Sequence, residues 1–172
     1  MKGKFVTALG VALLACGTGA SGADEKGKPP CAVETMHQFD FWIGRWVVTE
    51  HGKPAGSSHI ERILDGCALL ENWTGAGGGA GKSLNFFDRV DGLWHQAWID
   101  RNGGALFLAG KFENGAMRLS GERPATGKLP AIRHRITWTA LPGGKVRQLW
   151  ESSPPDKEEW TIQFDGLYES AK

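Results

Sequence analysis

Phe39-Asp40-Phe41-Trp42-Ile43-Gly44-Arg45-Trp46-Val47-Val48 is the stretch of sequence that decides the fold. Its aromatic residues run directly into β-branched side chains, which favour a strand because they pack well on a pleated surface. Side chains alternate along a strand, so Trp46 and Val48 face one way and Val47 the other. Gly44 allows the chain to bend there. We therefore predict a first strand entered through Gly44, with a short aromatic plug ahead of it.

The rest of the chain alternates strand-like runs with turn residues. Asp-Gly, Asn-Gly and Gly-Gly pairs separate the runs, and such pairs form the turns that match the twist of tight hairpins. Residues 52–56 and 75–81 are predicted as longer connections. About ten consecutive strands result, with no helical pattern of useful length. Because so many antiparallel strands normally curl and close, we predict an all-β fold, a single up-and-down barrel; a two-sheet sandwich is the alternative.

Composition limits the classes of function. The 172 residues include eight Trp and 25 Gly, and the formal net charge is +1. This length is enough for one domain with one core. A near-neutral chain gives no electrostatic case for binding nucleic acid or an anionic membrane surface. We expect no nucleic-acid partner, and the composition leaves the oligomeric state open.

The N-terminus has the pattern of an export signal. Lys2 and Lys4 precede an apolar stretch over residues 5–15, which is too short to span a bilayer, and small residues 21–23 form a cleavage site. We expect a periplasmic or extracellular protein. The run Leu-Leu-Ala-Cys that ends at Cys16 resembles a lipobox, so a lipoprotein anchored through Cys16 is the alternative. No later segment is apolar enough to be an integral membrane segment.

These signals divide the chain into three parts. We predict a signal peptide over residues 1–23, a flexible lead-in over residues 24–38 and a β-barrel domain over residues 39–172. Beyond the signal, Cys31 and Cys67 are an even pair in an oxidising compartment, which favours a disulfide between them. Two free buried thiols are the alternative.

Polar and aromatic side chains share faces of several predicted strands. Gln96 and Trp98 alternate on one face, and Gln148 and Trp150 repeat this pairing later. Glu71 shares a face with Leu69 and Trp73. If these faces point inward, the barrel interior combines Trp rings with few polar groups, as small-ligand pockets do. Alternatively, the Trp rings fill a solid barrel and the polar groups bond one another. The candidate ligand-binding residues are Glu71, Asn85, Gln96, Trp98, Gln148 and Trp150.

Catalysis and metal binding have weaker support. Glu71 beside an apolar cavity would have a raised pKa, which suits a general acid or base. An ion pair with Arg135 or Arg147 is the favoured alternative, so we assign no catalytic residue. The chain lacks a Cys-x-x-Cys or His-x-x-x-His cluster, and we expect no metal ligands and no cofactor.

The run Ala76-Gly77-Gly78-Gly79-Ala80-Gly81-Lys82-Ser83 matches a loose phosphate-loop pattern. Such a loop needs a helix N-terminus to hold phosphates, but a strand-like run follows here. We therefore interpret this stretch as a hairpin loop at a barrel mouth and expect no nucleotide.

Several of these segments together resemble a known superfamily. A Gly-x-Trp on the first strand, a turn that plugs one end and a run of hairpins are similar to lipocalins, of the calycin superfamily. The chain is more closely similar to secreted bacterial lipocalin-like domains of unknown function, the DUF1579-like group. The matching segments are Phe39-Asp40-Phe41-Trp42-Ile43-Gly44-Arg45-Trp46, Gly66-Cys67-Ala68-Leu69-Leu70-Glu71, Ser83-Leu84-Asn85, Trp94-His95-Gln96-Ala97-Trp98-Ile99-Asp100 and Val146-Arg147-Gln148-Leu149-Trp150-Glu151.

The resemblance implies a barrel with a ligand cavity and no established reaction. In lipocalins an Arg from a late strand often covers the first-strand Trp. By this resemblance Gly44, Trp46 and Arg147 are expected to be structural residues, with Arg147 stacked on Trp46 in a cation–π contact.

Three functions are consistent with these observations. In the first, an exported barrel binds a small apolar or amphipathic molecule through the six candidate residues. In the second, an enzyme uses the pocket carboxylate of Glu71 on a small metabolite. In the third, a solid barrel serves a structural or interaction role through a sheet edge or a loop surface.

Overall fold

The computed structural model describes residues 31–127 and 129–171. Over this part of the chain the predicted all-β fold is confirmed, and the strands are β1 (Gly44–Glu50), β2 (Lys53–Ile63), β3 (Ala68–Gly75), β4 (Ala80–Asp88), β5 (Leu93–Asp100), β6 (Ala105–Glu113), β7 (Ala116–Arg123), β8 (Ile132–Leu141), β9 (Lys145–Ser153) and β10 (Thr161–Ser170). Each strand pairs antiparallel with its neighbour in sequence, and β1 pairs with β10. The sheet is therefore a closed up-and-down barrel rather than a two-sheet sandwich.

The β1–β2 hairpin turn is tighter than the sequence suggested. His51 and Gly52 have φ of 50° and 75°, the left-handed conformations that a two-residue type I′ turn requires. The turn predicted over residues 52–56 is therefore too long. Strand β2 already begins at Lys53, and Pro54 lies opposite Thr49 beside a bulge at Ala55 of β2.

The connection between β3 and β4 is a hairpin loop, as expected. It spans the glycines between Gly75 and Ala80, and the Gly75 N–H donates to the Gly79 carbonyl at 2.7 Å. Since β4 follows this loop directly, no helix N-terminus is present to hold a phosphate there.

An aromatic plug, residues 39–42, closes the lower end of the barrel, which is the end where β1 begins and β10 ends. The plug follows a 3₁₀ turn over Glu34–His37 and includes a second over Asp40–Trp42. Phe39 and Trp42 are fully buried, with ring centroids 4.9 Å apart, and both contact Trp138 of β8. Packed aromatic rings therefore close this end of the barrel.

Strand β1 alternates as predicted. Trp46 and Val48 are buried inside the barrel, while Val47 is half exposed on the outside. The Trp46 indole N–H donates to the Trp42 carbonyl at 2.9 Å. This bond fixes the plug to the first strand and satisfies a buried donor.

The predicted disulfide between Cys31 and Cys67 is confirmed, with Cα atoms 5.0 Å apart. It joins the segment ahead of the plug to the start of β3. Met36 in the same segment is buried. The described part of the predicted lead-in, residues 31–38, is therefore tied to the barrel.

Three of the sequence predictions fall outside the described residues. They are the signal peptide over residues 1–23, the alternative lipid site at Cys16, and the first part of the lead-in over residues 24–30. Within the ranges that the structure describes, no helix has the length and apolar character needed to cross a membrane.

Candidate functional site

Above the plug the barrel encloses a cavity of about 520 Å³. It reaches the upper end, where the β5–β6 and β9–β10 connections lie. Residues from seven strands and from the β5–β6 connection line it: Glu71, Trp73, Gln96, Trp98, Asp100, Gly103, Gly104, Ala105, Leu106, Arg123, His134, Ile136, Gln148, Trp150, Gln163, Phe164 and Tyr168.

The structure brings most of the predicted ligand-binding residues to this cavity. Those that line it are Glu71, Gln96, Trp98, Gln148 and Trp150. Asn85 also points inward but is fully buried and stands behind the lining. The shared orientation follows from strand alternation, because each residue lies an even number of positions from another inward-facing residue of its strand.

Glu71 is the charged group at the inner part of the cavity. Its side chain is on β3, and the residue is only 4% exposed. Ser58 of β2 donates a hydrogen bond to one carboxylate oxygen at 3.1 Å, and Ser83 of β4 donates to the other at 2.7 Å. Burial raises the pKa of Glu71 from 4.5 to about 7, while the two hydroxyl bonds oppose this rise. Near neutral pH the carboxyl group therefore exists in both protonation states.

A directed set of hydrogen bonds supports the carboxylate. Gln96 donates to the Asn85 amide oxygen at 2.8 Å, and Asn85 donates to the Ser83 hydroxyl oxygen at 2.9 Å. Because Ser83 accepts from Asn85, its own proton is free to point at Glu71. Asn85 thus acts on the cavity through Ser83 and does not border the cavity itself.

The opposite wall carries a second polar pair. The Tyr168 hydroxyl of β10 donates to the Gln148 side-chain oxygen of β9 at 2.6 Å. Burial, and then the nearby charge of Glu71, raises the pKa of Tyr168 well above 10. The phenol is therefore neutral and remains a donor. Its bond leaves the Gln148 amide N–H groups to face the cavity.

His134 on β8 is held in its neutral form. The Trp150 indole N–H donates to His134 Nδ1 at 3.2 Å. Since an indole can only donate, Nδ1 must be unprotonated and the neutral ring carries its proton on Nε2. Burial lowers the pKa of His134, and the positive charge of Arg123 lowers it further.

Glycines make room for the aromatic walls. A Cβ atom on Gly81 would lie 2.3 Å from the Trp98 ring, and one on Gly166 would lie 2.3 Å from the Phe164 ring. Both distances are far below van der Waals contact. Each ring therefore occupies space that a side chain at the neighbouring glycine would need.

The two arginines considered for roles inside the barrel lie outside it. Arg147 forms two hydrogen bonds of 2.7 Å with Asp165 on the outer surface. The expected stacking of Arg147 on Trp46 is therefore wrong, because the alternation that turns Gln148 inward turns Arg147 outward. Trp46 packs edge-on against Tyr168 instead.

The alternative of an ion pair for Glu71 is wrong for the same reason. Arg135 pairs with Glu151 on the outside, with nitrogen–oxygen distances of 2.7 and 2.8 Å. Arg147 is bound to Asp165. The described partners of Glu71 are hydroxyl groups, which bring hydrogen bonds but no positive charge.

Sequence reasoning missed several lining residues. Trp73 was placed on the face of Glu71 from the sequence but was not chosen as a ligand-binding residue. Phe164 and Tyr168 also alternate inward on β10. His134 gave no signal, because its partner Trp150 belongs to another strand and nothing in the spacing singled out one His among five.

One cluster on the lower rim has the composition of a metal site. Ligand-type atoms of Asp88, Asp91 and His95 lie within 4.8 Å of one another. The two carboxylates already accept backbone N–H bonds from Val90 and Leu93, and Asp91 also contacts His95 at 2.8 Å. These hydrogen bonds stabilise the β4–β5 turn and explain why the three residues lie together. We therefore assign no ion to the cluster.

Comparison with known proteins adds no family. No protein-family model matches the chain, and no curated protein does. The fold itself, a closed ten-stranded antiparallel barrel, is consistent with a calycin-like architecture.

Proposed function

We propose that this protein binds a small, largely apolar molecule inside the upper half of its barrel. The observation that carries the proposal is the cavity of about 520 Å³, which lies in the size range of small-molecule sites. Five Trp, Phe and Tyr side chains line it, together with seven polar or charged side chains. Apolar burial would supply affinity, and Glu71, Gln96 and Gln148 would orient the ligand.

The volume sets the size of the molecule. If each non-hydrogen atom needs the roughly 30 Å³ that a water molecule occupies in the liquid, about 17 such atoms fit in 520 Å³. A molecule of two fused or linked rings, or a short branched chain, has this size. The plug blocks the lower end, so the ligand would reach the cavity from the upper loops.

The proposal extends to the compartment and the family. A disulfide between Cys31 and Cys67 supports an oxidising compartment, in agreement with the export pattern at the N-terminus. We place the protein outside the cytoplasm, among the secreted bacterial lipocalin-like proteins of the DUF1579-like group. The support for this group is the sequence resemblance together with the barrel architecture.

Binding is tested with an uncharged fluorescent probe of matching size, N-phenyl-1-naphthylamine. We expect saturable enhancement of probe fluorescence with the exported protein. Trp98→Ala should weaken the probe affinity by about tenfold, the equivalent of roughly 55 Å² of lost apolar contact at 25 cal/mol per Å². Gln96→Ala should weaken it less. Trp160→Ala is the matched control, because Trp160 stacks under Arg135 on the outside.

Unchanged affinity in both cavity variants would refute the site. Native mass spectrometry of protein purified gently from the periplasm is the complementary measurement. A mass above that of the mature chain, lost on denaturation, would identify the natural ligand. If no bound mass is found and no probe binds, the protein is an interaction protein rather than a binding protein for small molecules.

A second candidate is an enzyme, such as an isomerase or hydrolase, that uses Glu71 as a general acid or base. The specific observation is a buried carboxyl group with a pKa of about 7 in a cavity that also holds His134 and Tyr168. Turnover that Glu71→Gln abolishes, with circular dichroism unchanged, would favour the enzyme. Binding without turnover favours the first proposal.

A further inference from the structure

The carboxylate of Glu71 lies in the cavity without a positive partner among the described residues. An ionised carboxylate offers about four acceptor positions, and the hydroxyl groups of Ser58 and Ser83 occupy two of them. Removing a charge from water is costly unless a counter-charge and hydrogen bonds replace the water. The site therefore has unused capacity to accept donors, and a cation would remove the cost of burying the charge.

The surroundings of Glu71 also favour a cation. Trp73, Trp98 and Trp150 line the same cavity, and the faces of indole rings attract ammonium groups. Such rings tolerate a charged group close to them because the quadrupole of the ring offsets part of the lost hydration. A carboxylate surrounded by aromatic rings is the chemical setting in which organic cations are bound.

The charges of the cavity disfavour an anion beside Glu71. Glu71 and Asp100 are acidic, Arg123 at the rim is basic, and His134 is held neutral. A fatty acid or another apolar carboxylate would place its anion beside Glu71 if its head entered first. Like charges in a poorly hydrated site disfavour that arrangement.

We propose that the ligand of this cavity is a small apolar amine, with its ammonium group on Glu71 and its apolar body between Trp98 and Trp150. This inference rests on the proposed binding function and specifies the class of molecule bound. The ammonium group would take the free acceptor positions of the carboxylate, and the side-chain oxygen of Gln96, which lines the same cavity, would offer a further acceptor.

An amine binds the ionised form of Glu71, so its affinity should depend on pH. The titratable and charged groups that share the cavity are Tyr168 on β10, His134 on β8, Arg123 at the end of β7 and Asp100 at the end of β5. In the described structure the inward polar groups that β2 and β4 place beside Glu71 are uncharged. With a pKa of about 7, amine binding should be about tenfold weaker at pH 6 than at pH 8.

The test uses two probes of equal size, 4-phenylbutylamine and 4-phenylbutan-1-ol, with isothermal titration calorimetry on the mature, disulfide-bonded protein. The amine is cationic at both pH values. We expect the amine to bind at least about tenfold more tightly than the alcohol at pH 8, as a hydrogen bond to a charged group implies. The alcohol should change by less than about twofold between pH 6 and pH 8.

Three variants make the result specific. Glu71→Gln should remove both the preference for the amine and its pH dependence, whereas Glu113→Gln, a control on the exposed end of β6, should change neither. If Glu71→Gln fails to fold, Ser58→Ala provides the same test. Loss of one hydroxyl donor raises the pKa of Glu71, so the pH midpoint of amine binding should move upward in Ser58→Ala.

The possible failures are distinguishable. Equal affinities for amine and alcohol, or an amine affinity independent of pH, would overturn the amine proposal and leave the binding function in place. The same holds if neither probe binds while N-phenyl-1-naphthylamine does. If that uncharged dye does not bind either, the proposed function fails, and the amine proposal fails with it.

Discussion

Replacing Glu71 by Gln should change how the stability of the protein depends on pH, and this can be measured without knowing any ligand. Glu71 is fully buried, and its pKa is raised from 4.5 to about 7. The folded protein therefore holds a proton at pH values where the unfolded chain has released it. The free energy of unfolding must then fall as pH rises through this window.

The magnitude follows from the two pKa values. Stability from the protonated group is fully present below pH 4.5 and is lost as pH rises through about 7. The difference between the two pKa values of Glu71, at 1.36 kcal/mol per unit, corresponds to a loss of about 3 kcal/mol in the free energy of unfolding. About 2.5 kcal/mol of this loss falls between pH 5 and pH 8. Glu71→Gln cannot ionise, so it should lack this loss.

The assay is urea unfolding of wild type and Glu71→Gln at half-unit steps from pH 5 to pH 8. The difference between the two curves isolates Glu71. His134 acts with the opposite sign, because its lowered pKa gives stability that is lost as pH falls, but it is present in both proteins and cancels. A matched Glu113→Gln control should follow the wild type.

A difference curve that stays flat within about 0.5 kcal/mol would refute the reasoning, since that value is well below the expected 2.5 kcal/mol. It would mean that Glu71 is solvated or paired in solution. A constant offset between the curves does not count as support, because loss of the Ser83 bond shifts stability equally at all pH values.

Further predictions concern the disulfide, the cavity wall and His134. Cys67→Ser should lower the unfolding free energy by roughly 3–4 kcal/mol, because the bridge closes a separation of 36 residues. Urea unfolding of the reduced wild type is the control. Equal urea midpoints for the oxidised wild type and the variant would contradict this prediction. Gly81→Ala should cost about 1–3 kcal/mol and alter the near-ultraviolet circular dichroism, since its Cβ would displace the Trp98 ring; an unchanged spectrum contradicts this. His134 should titrate below its ordinary pKa of 6.5 in NMR spectra. Trp150→Phe should raise the titration midpoint of His134, because it removes the indole hydrogen bond to Nδ1. A midpoint that falls or stays fixed in this variant would contradict the prediction.

Local chemistry made most of the fold predictable. Turn residues between alternating runs indicate hairpins, and the aromatic stretch before Gly44 indicates a plug. The same alternation places Glu71, Gln96 and Gln148 on inward faces before any pairing is known. These properties depend on neighbours within a few residues, and the sequence therefore shows them.

Contacts between distant strands were harder to predict. Tyr168 meets Gln148 through the pairing of β9 and β10, and His134 meets Trp150 through β8 and β9. Side-chain partners of this kind depend on the register between neighbouring strands. That register is fixed by the hydrophobic pattern and the turn length acting together, and neither fixes it alone. The stacking of Arg147 was expected from resemblance, although alternation from Gln148 already pointed it outward.

The seam between β1 and β10 has a consequence for biosynthesis. Trp46 pairs with Ser170, so the first strand has to wait for almost the whole chain before its outer edge is covered. Until then β1 and the last completed strand both present unpaired backbone groups, which are templates for association with other chains. A chain cut before Thr161 should lack the closing strand and aggregate. Closure of the barrel is therefore a late, long-range step of folding, because it joins the first strand to the tenth.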